Sequence, residues 1–132
     1  MTKRHQLKFL WLKGPYAIVR LAGDAGIPEW ATKGDFTSIS RTADELSIVC
    51  LRENLPREIH SAHRWQCFKL EGPFPFSQTG ILLSFIEPLS SAGIPLFAVS
   101  TFDTDYVLIQ DEFADAALDA LERAGHELTG AS

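Results

Sequence analysis

The chain has 132 residues, 45% of them apolar and 22% charged, with a formal net charge of −5 and a pI of about 5.3. That size suits one ordinary domain or two very small units sharing a core, and the composition excludes a disordered chain. The acidic balance, with basic residues scattered instead of clustered, argues against a nucleic-acid or anionic-membrane partner.

The opening MTKRHQLKFLWLKGP has a basic start and an apolar run. Lys8 and Lys13 break that run and no small-residue cleavage site follows, so it does not read as a signal peptide. No segment approaches the roughly 18 apolar residues of a membrane-spanning helix. His5–Leu12 predicts a strand, Gly14-Pro15 a turn, and Tyr16–Leu21 a second β-like run. Ala22–Ile27 carries turn chemistry, and Pro28–Ala31 suits one helical turn with proline in its tolerated first position. Phe36–Arg41 and Glu45–Leu51 form a hairpin around Thr42–Asp44. Polar Asn54–Arg64 reads as a loop or a short irregular helix. Cys50 and Cys67 fall in predicted strands without metal-ligand spacing, which points to reduced thiols in a cytoplasmic protein.

The second half is more regular. Trp65–Glu71 is a strand, followed by a Gly-Pro turn and a polar bend, Ser77–Gly80. An apolar helix then runs to Gly93, with Ser77 or Thr79 as its cap and a stripe of Ile81, Phe85 and Leu89. Pro88 lacks an N–H and leaves the carbonyl of Ser84 without its helical partner. A strand ending in Ser100-Thr101-Phe102, the bend Asp103–Asp105, a strand Tyr106–Gln110 and an alanine-rich helix to Gly125 complete the series, with His126–Leu128 as a short last strand. The order is that of a βαββαβ unit. The final helix has acids in its first turn and Arg123 in its last, matching the macrodipole.

An internal repeat is also visible. Residues 36–49 echo residues 96–109, with Ser40 on Ser100, Glu45 on Asp105 and Val49 on Ile109. Leu12–Tyr16 likewise echoes Leu70–Phe74. Two copies of one hairpin, each after a Gly-Pro pair, argue for duplication with a trimmed first copy.

The stretch TGILLSFIEPLSSAGIPLFAVSTFDTDYVLIQ resembles the ACT-like domains of small bacterial ACT proteins and of the CASTOR arginine sensors. The shared wording is T-G-I at the helix start, A-G-I before the strand and S-T-F-D-T-D-Y-V-L at the hairpin. The resemblance is strong from Glu71 to Gly125 and weaker before it. The expected fold is α+β: two ferredoxin-like, ACT-type units in tandem, spanning 1–62 and 63–132, with helices on one face of an antiparallel sheet.

No catalytic constellation stands out. Asp103 and Asp105 flank a tight bend where acids are common. His60 and His63 have no third ligand near in sequence, and Ser77, Ser100 and Thr101 lack a histidine in a nucleophile context. No cofactor or metal is expected, and the chain reads as a non-enzymatic protein. A binding site is better supported. Free N–H groups at Ser77–Ile81 and the positive helix end favour an anion, and Gly80 permits close approach. The resemblance implies that such a bend holds an amino acid's carboxylate, with Asp105 for a cationic group and Thr101 and Phe102 lining the pocket. Phe97 and Ile81 would meet the aliphatic part or belong to the core. The candidate ligand-binding set is therefore Ser77, Thr79, Gly80, Ile81, Phe97, Thr101, Phe102 and Asp105. The expected partners are an amino acid, bound where ACT units meet, and a second copy of the chain. The competing expectation is an interaction module with a vestigial site.

Overall fold

The computed structural model describes residues 4–131; residues 1–3 and Ser132, the outer ends of the two expected units, lie outside it. The chain forms two compact units, one from the residues up to Lys13 together with those from Gln66 onward, the other from Gly14–Trp65. The first strand, β1 (Lys8–Ala22), contributes its opening half to the larger unit and its closing half to the smaller.

In the smaller unit, β1 pairs antiparallel with β3 (Glu45–Leu51), from Tyr16↔Leu51 to Ala22↔Glu45, and β3 pairs with β2 (Ser38–Arg41). Leu46, Ile48 and Cys50 alternate inward onto Ala17, Val19 and Ala31, the period-2 pattern of a half-buried sheet. A 3-10 turn, Glu29–Thr32, stands where the helical turn is expected. The expected turn at Gly14-Pro15 does not occur. β1 runs through that pair, whose peptide bond is cis. Proline's fixed φ suits extended chain and costs one ladder donor. What changes at that point is the set of partners: before it β1 pairs with β7 (Glu127–Ala131), after it with β3.

The larger unit contains β4 (Trp65–Leu70), helix α1 (Ile81–Ser91), β5 (Phe97–Ser100), β6 (Asp105–Gln110), helix α2 (Ala114–Arg123) and β7. This is the predicted βαββαβ order, an α+β arrangement of antiparallel hairpin and helices on one sheet face. The sheet contains one strand more than that motif. Along it the strands lie in the order β5, β6, β4, β1, with β7 pairing parallel to β1 from Lys8↔Glu127 to Trp11↔Ala131. In a four-stranded βαββαβ sheet the last strand lies beside the first; here the opening half of β1 fills that slot.

The core follows from the alternation of these strands. Phe9, Phe68, Leu70, Val107 and Ile109 face Ile81, Phe85 and Leu89 of α1 and Ala117 and Leu121 of α2. Phe9 stands edge-on to Phe68 at 5.3 Å and to Phe85 at 5.2 Å. Such pairs add about 0.5–1.5 kcal/mol each beyond area burial. Helix α2 ends at Gly125, whose φ of 92° turns the chain back so that the N–H of His126 reaches the carbonyl of Leu121 at 3.0 Å.

The two hairpins share a geometry, but one residue out of the register expected from sequence. Arg41 pairs with Leu46, and Ser100 with Asp105. Thr42 N–H donates to Glu45 O at 2.9 Å, and Thr101 N–H to Thr104 O at 2.8 Å. Thr42 therefore matches Thr101, and Leu46, not Glu45, matches Asp105. Hydrogen bonding across the bend sets the match, whereas the sequence echo follows the strands.

Truncating the central ring should be costly. Phe68→Ala is expected to lose about 3–5 kcal/mol in urea unfolding; a loss below about 1 kcal/mol would show that the aromatic cluster does not hold the unit.

Candidate functional site

The site is a cleft in the larger unit with a volume of about 310 Å³, open on one side. One wall is the segment Phe74–Leu82, which leads into α1; the other is the β5–β6 bend, Ser100–Asp105. Two sets of bonds hold the walls together. Phe74 N–H donates to Asp103 O at 2.9 Å, and the buried Thr104 hydroxyl donates to Leu70 O at 2.8 Å. Within the bend, the Thr101 hydroxyl donates to Thr104 O at 3.0 Å. The Asp105 carboxylate accepts from the Ser100 hydroxyl, which fixes it at the strand start.

Of the predicted residues, Gly80, Ile81, Thr101, Phe102 and Asp105 line this cleft. Ser77 and Thr79 are exposed on the same bend but do not line it, and Phe97 is half-buried in β5 opposite Leu108. Neither Ser77 nor Thr79 caps α1. The capping position is Gly80, with φ 80°, and among the described residues no side chain bonds the first N–H groups. A left-handed residue there suits glycine alone at no cost. The carbonyl of Thr79 points instead to the His5 ring, with Nε2 at 3.0 Å. Gly80, Ile81 and Leu82 at this uncapped helix start line the cleft.

Sequence reasoning missed the aromatic rim. Phe76 and Phe102 are 75% and 79% exposed, and their rings meet edge-to-face at 4.9 Å. The signal was present in G-P-F-P-F, where prolines hold Phe76 off the strand. Gln78 and Asp103 were also outside the expected set and line the cleft.

Elsewhere the chemistry is quiet. The Cys50 and Cys67 thiols are buried, and burial pushes Cys50 up to about 11 and Cys67 higher still. Among the described residues no cluster of three or more His, Cys, Asp or Glu could hold a metal ion, and no helix is long and apolar enough to cross a membrane.

Comparison with known proteins agrees with the fold. An ACT-domain family model matches residues 60–123, which contain the cleft, and a second model, described as an N-terminal domain, matches residues 14–58. The crystal structure of protein Atu0741 from Agrobacterium tumefaciens is 46% identical, with a TM-score of 0.88 over 96% of this chain and 94% of that one. The chain belongs to the same family as Atu0741 and carries an ACT domain. Two more distant structures share the fold at 17% identity. One is VC0802 from Vibrio cholerae, a protein of unknown function described as a possible transport protein (TM-score 0.72, covering 91% of each chain). The other is the aspartokinase alpha and beta subunits (TM-score 0.56, covering 92% of this chain and 98% of that one). ACT domains in general are regulatory modules that bind small molecules such as amino acids. In this ACT domain the cleft is built from the domain's own strand–helix bend and hairpin. The other hairpin, in residues 14–58, has the buried Leu46 where this one has Asp105, so it offers no matching carboxylate.

Thr104→Val removes a buried hydroxyl and its bond to the Leu70 carbonyl. It should cost about 1–3 kcal/mol of stability in thermal or urea unfolding. A neutral substitution would show that the bend is not anchored through that hydroxyl.

Proposed function

We propose that this chain is a non-enzymatic, cytoplasmic sensor that binds an amino acid in the ACT-domain cleft. The observation that carries the reading is the convergence, in one cleft, of an uncapped helix start and a carboxylate. The N–H groups at Gly80–Leu82 suit the ligand's carboxylate, aided by the helix dipole. Asp105 suits its cationic group, and Thr101, Phe102 and Ile81 enclose the rest. Ser77 and Thr79 stand close enough on the bend to contribute once a ligand is bound, whereas Phe97 supports the hairpin from within β5. No cofactor is required.

The open side of the cleft, rimmed by Phe76 and Phe102, favours closure by the ACT domain of a second copy. A homodimer would thus place the ligand where two ACT units meet, as the resemblance to the arginine sensors implies. Differential binding to two such arrangements would pass the signal on. The repeated Gly-Pro pair and the threonine-closed hairpins support duplication of one ACT-type unit, of which residues 14–58 keep the hairpin. The same exposed aromatic pair favours a second reading, in which the cleft is vestigial and its rim binds a partner protein.

Ligand-induced stabilisation separates the two. At a hundredfold excess over Kd a ligand raises stability by about 2.7 kcal/mol, a rise of several degrees in Tm for a domain of this size. A thermal-shift panel of the common amino acids should give that rise for one or a few of them. Asp105→Ala should abolish most of the shift while leaving the ligand-free Tm nearly unchanged. A flat panel on folded protein would overturn the sensor reading, and an undiminished shift in the variant would remove Asp105 from the site.

A further inference from the structure

The residues just before β1 lie along the start of α1, and a buried histidine holds them there. His126 is only 4% exposed. Its Nδ1 accepts the backbone N–H of Leu7 at 3.0 Å, and its Nε2 lies 2.8 Å from the carbonyl of Ser84. Because one partner donates and the other accepts, the ring must be the neutral Nε2–H form. The Ser84 carbonyl is open to a donor because Pro88, four residues on, has no N–H to give it. Three further contacts tie the same arm to α1 and to the bend before it. His5 N–H donates to the Ser84 hydroxyl at 2.9 Å, the His5 ring meets Thr79 O, and Arg4 pairs with Glu87. The Ser84 hydroxyl in turn donates to Gly80 O at 2.7 Å, so the arm's bonds end on the residues that begin the cleft wall.

We propose that His126 is a proton-operated latch: neutral, it holds residues 4–7 against α1, and on protonation it releases them and loosens the Thr79–Ile81 wall of the cleft. Protonation would place a hydrogen on Nδ1, facing the Leu7 N–H with two donors and no acceptor. The lost bond would lie in a buried place, where an unpaired donor costs most. The Ser84 side of the ring would keep its bond, so the break falls on the arm and not on the helix.

Other ionisable groups face the latch from each element packed against it. On the arm and β1 these are Arg4, His5 and Lys8; on α1, Glu87; on α2, Asp115, Asp119, Glu122 and Arg123; on β7, Glu127. Arg4 is paired with Glu87 and Arg123 with Asp119, and both His126 nitrogens are taken by backbone groups. Burial lowers the proton affinity of His126 below the ordinary imidazole range, opposed in part by its bond to the Ser84 carbonyl. The unfolded chain therefore takes up its proton first as the pH falls. The stability His126 provides is complete above about pH 6.5 and is lost as the pH drops through that value toward the lower folded-state one.

The latch itself needs no ligand; its regulatory meaning rests on the cleft being the ligand site. The test is a nitrogen-15 NMR titration of the ligand-free protein from pH 8 to 5. His126 should appear as the Nε2–H tautomer at high pH. The Leu7 and His5 amides should lose exchange protection at the His126 midpoint, with Gly80 and Ile81 shifting at the same midpoint. His126→Phe should lack that midpoint. His5→Ala should keep the Leu7 transition, which separates the two histidines. An Nδ1–H tautomer, or Leu7 and His5 protected throughout, would overturn the latch. An arm that opens while Gly80 and Ile81 stay fixed would overturn its reach to the cleft. None of these readouts depends on the amino-acid panel, so either reading can fail without the other.

Discussion

The opening half of β1 lies between β4 and β7, and the larger unit depends on that placement. A strand with both edges paired leaves no row of open N–H and C=O groups inside the sheet. It also delivers Phe9 to the centre of the core, in edge-to-face contact with rings from β4 and α1. Without it, β7 would have to close on β4 and the core would lose its middle ring. The ACT domain of residues 60–123 is therefore completed by residues that lie some fifty positions earlier in the chain.

That placement also governs the site. The residues leading into β1 must cross α1 to reach the slot, and in crossing they bond to Ser84, Thr79 and His126. Helix α1 carries Pro88 in its interior, which would ordinarily cost a hydrogen bond and several kcal/mol. Here the freed carbonyl becomes the acceptor for a buried imidazole, so the break in the helix ladder is used by the tertiary structure. The start of the same helix is left without a side-chain cap, with glycine in the left-handed region. Its first residues line a cleft whose opposite wall is fixed by Thr104 and by the Phe74 N–H. The cleft combines a fixed frame with polar groups, the frame held by the Phe74 N–H to Asp103 O bond and by the Thr104 hydroxyl on Leu70 O.

Much of this was legible in the chain. The hairpins, both helices, the stop at Gly125 and the opened Ser84 carbonyl all follow from local rules: periodicity, turn residues, and the missing N–H of proline. The wording from Thr79 to Gln110 was enough to indicate an ACT domain. Local rules misled where a residue type has two uses. Gly14-Pro15 reads as a turn yet lies within a strand, because an extended chain accepts proline's φ as readily as a bend does. Ser77 and Thr79 read as caps yet cap nothing, because Gly80 holds the capping position. The hairpin register slipped by one, because the echo aligns strand residues while hydrogen bonds across the bend decide which residues pair.

The sequence by itself determined the elements, their order and the composition of the site's two arms, since these depend on neighbours within a few residues. Only the tertiary structure decided that the opening half of β1 would pair with β7, that His126 would answer the carbonyl Pro88 exposes, and that Phe76 would meet Phe102 at the cleft's rim. Those pairings join residues at least 26 positions apart. Contacts at such separation are selected by burial and by unpaired backbone groups, and neither quantity is visible until the chain has closed on itself.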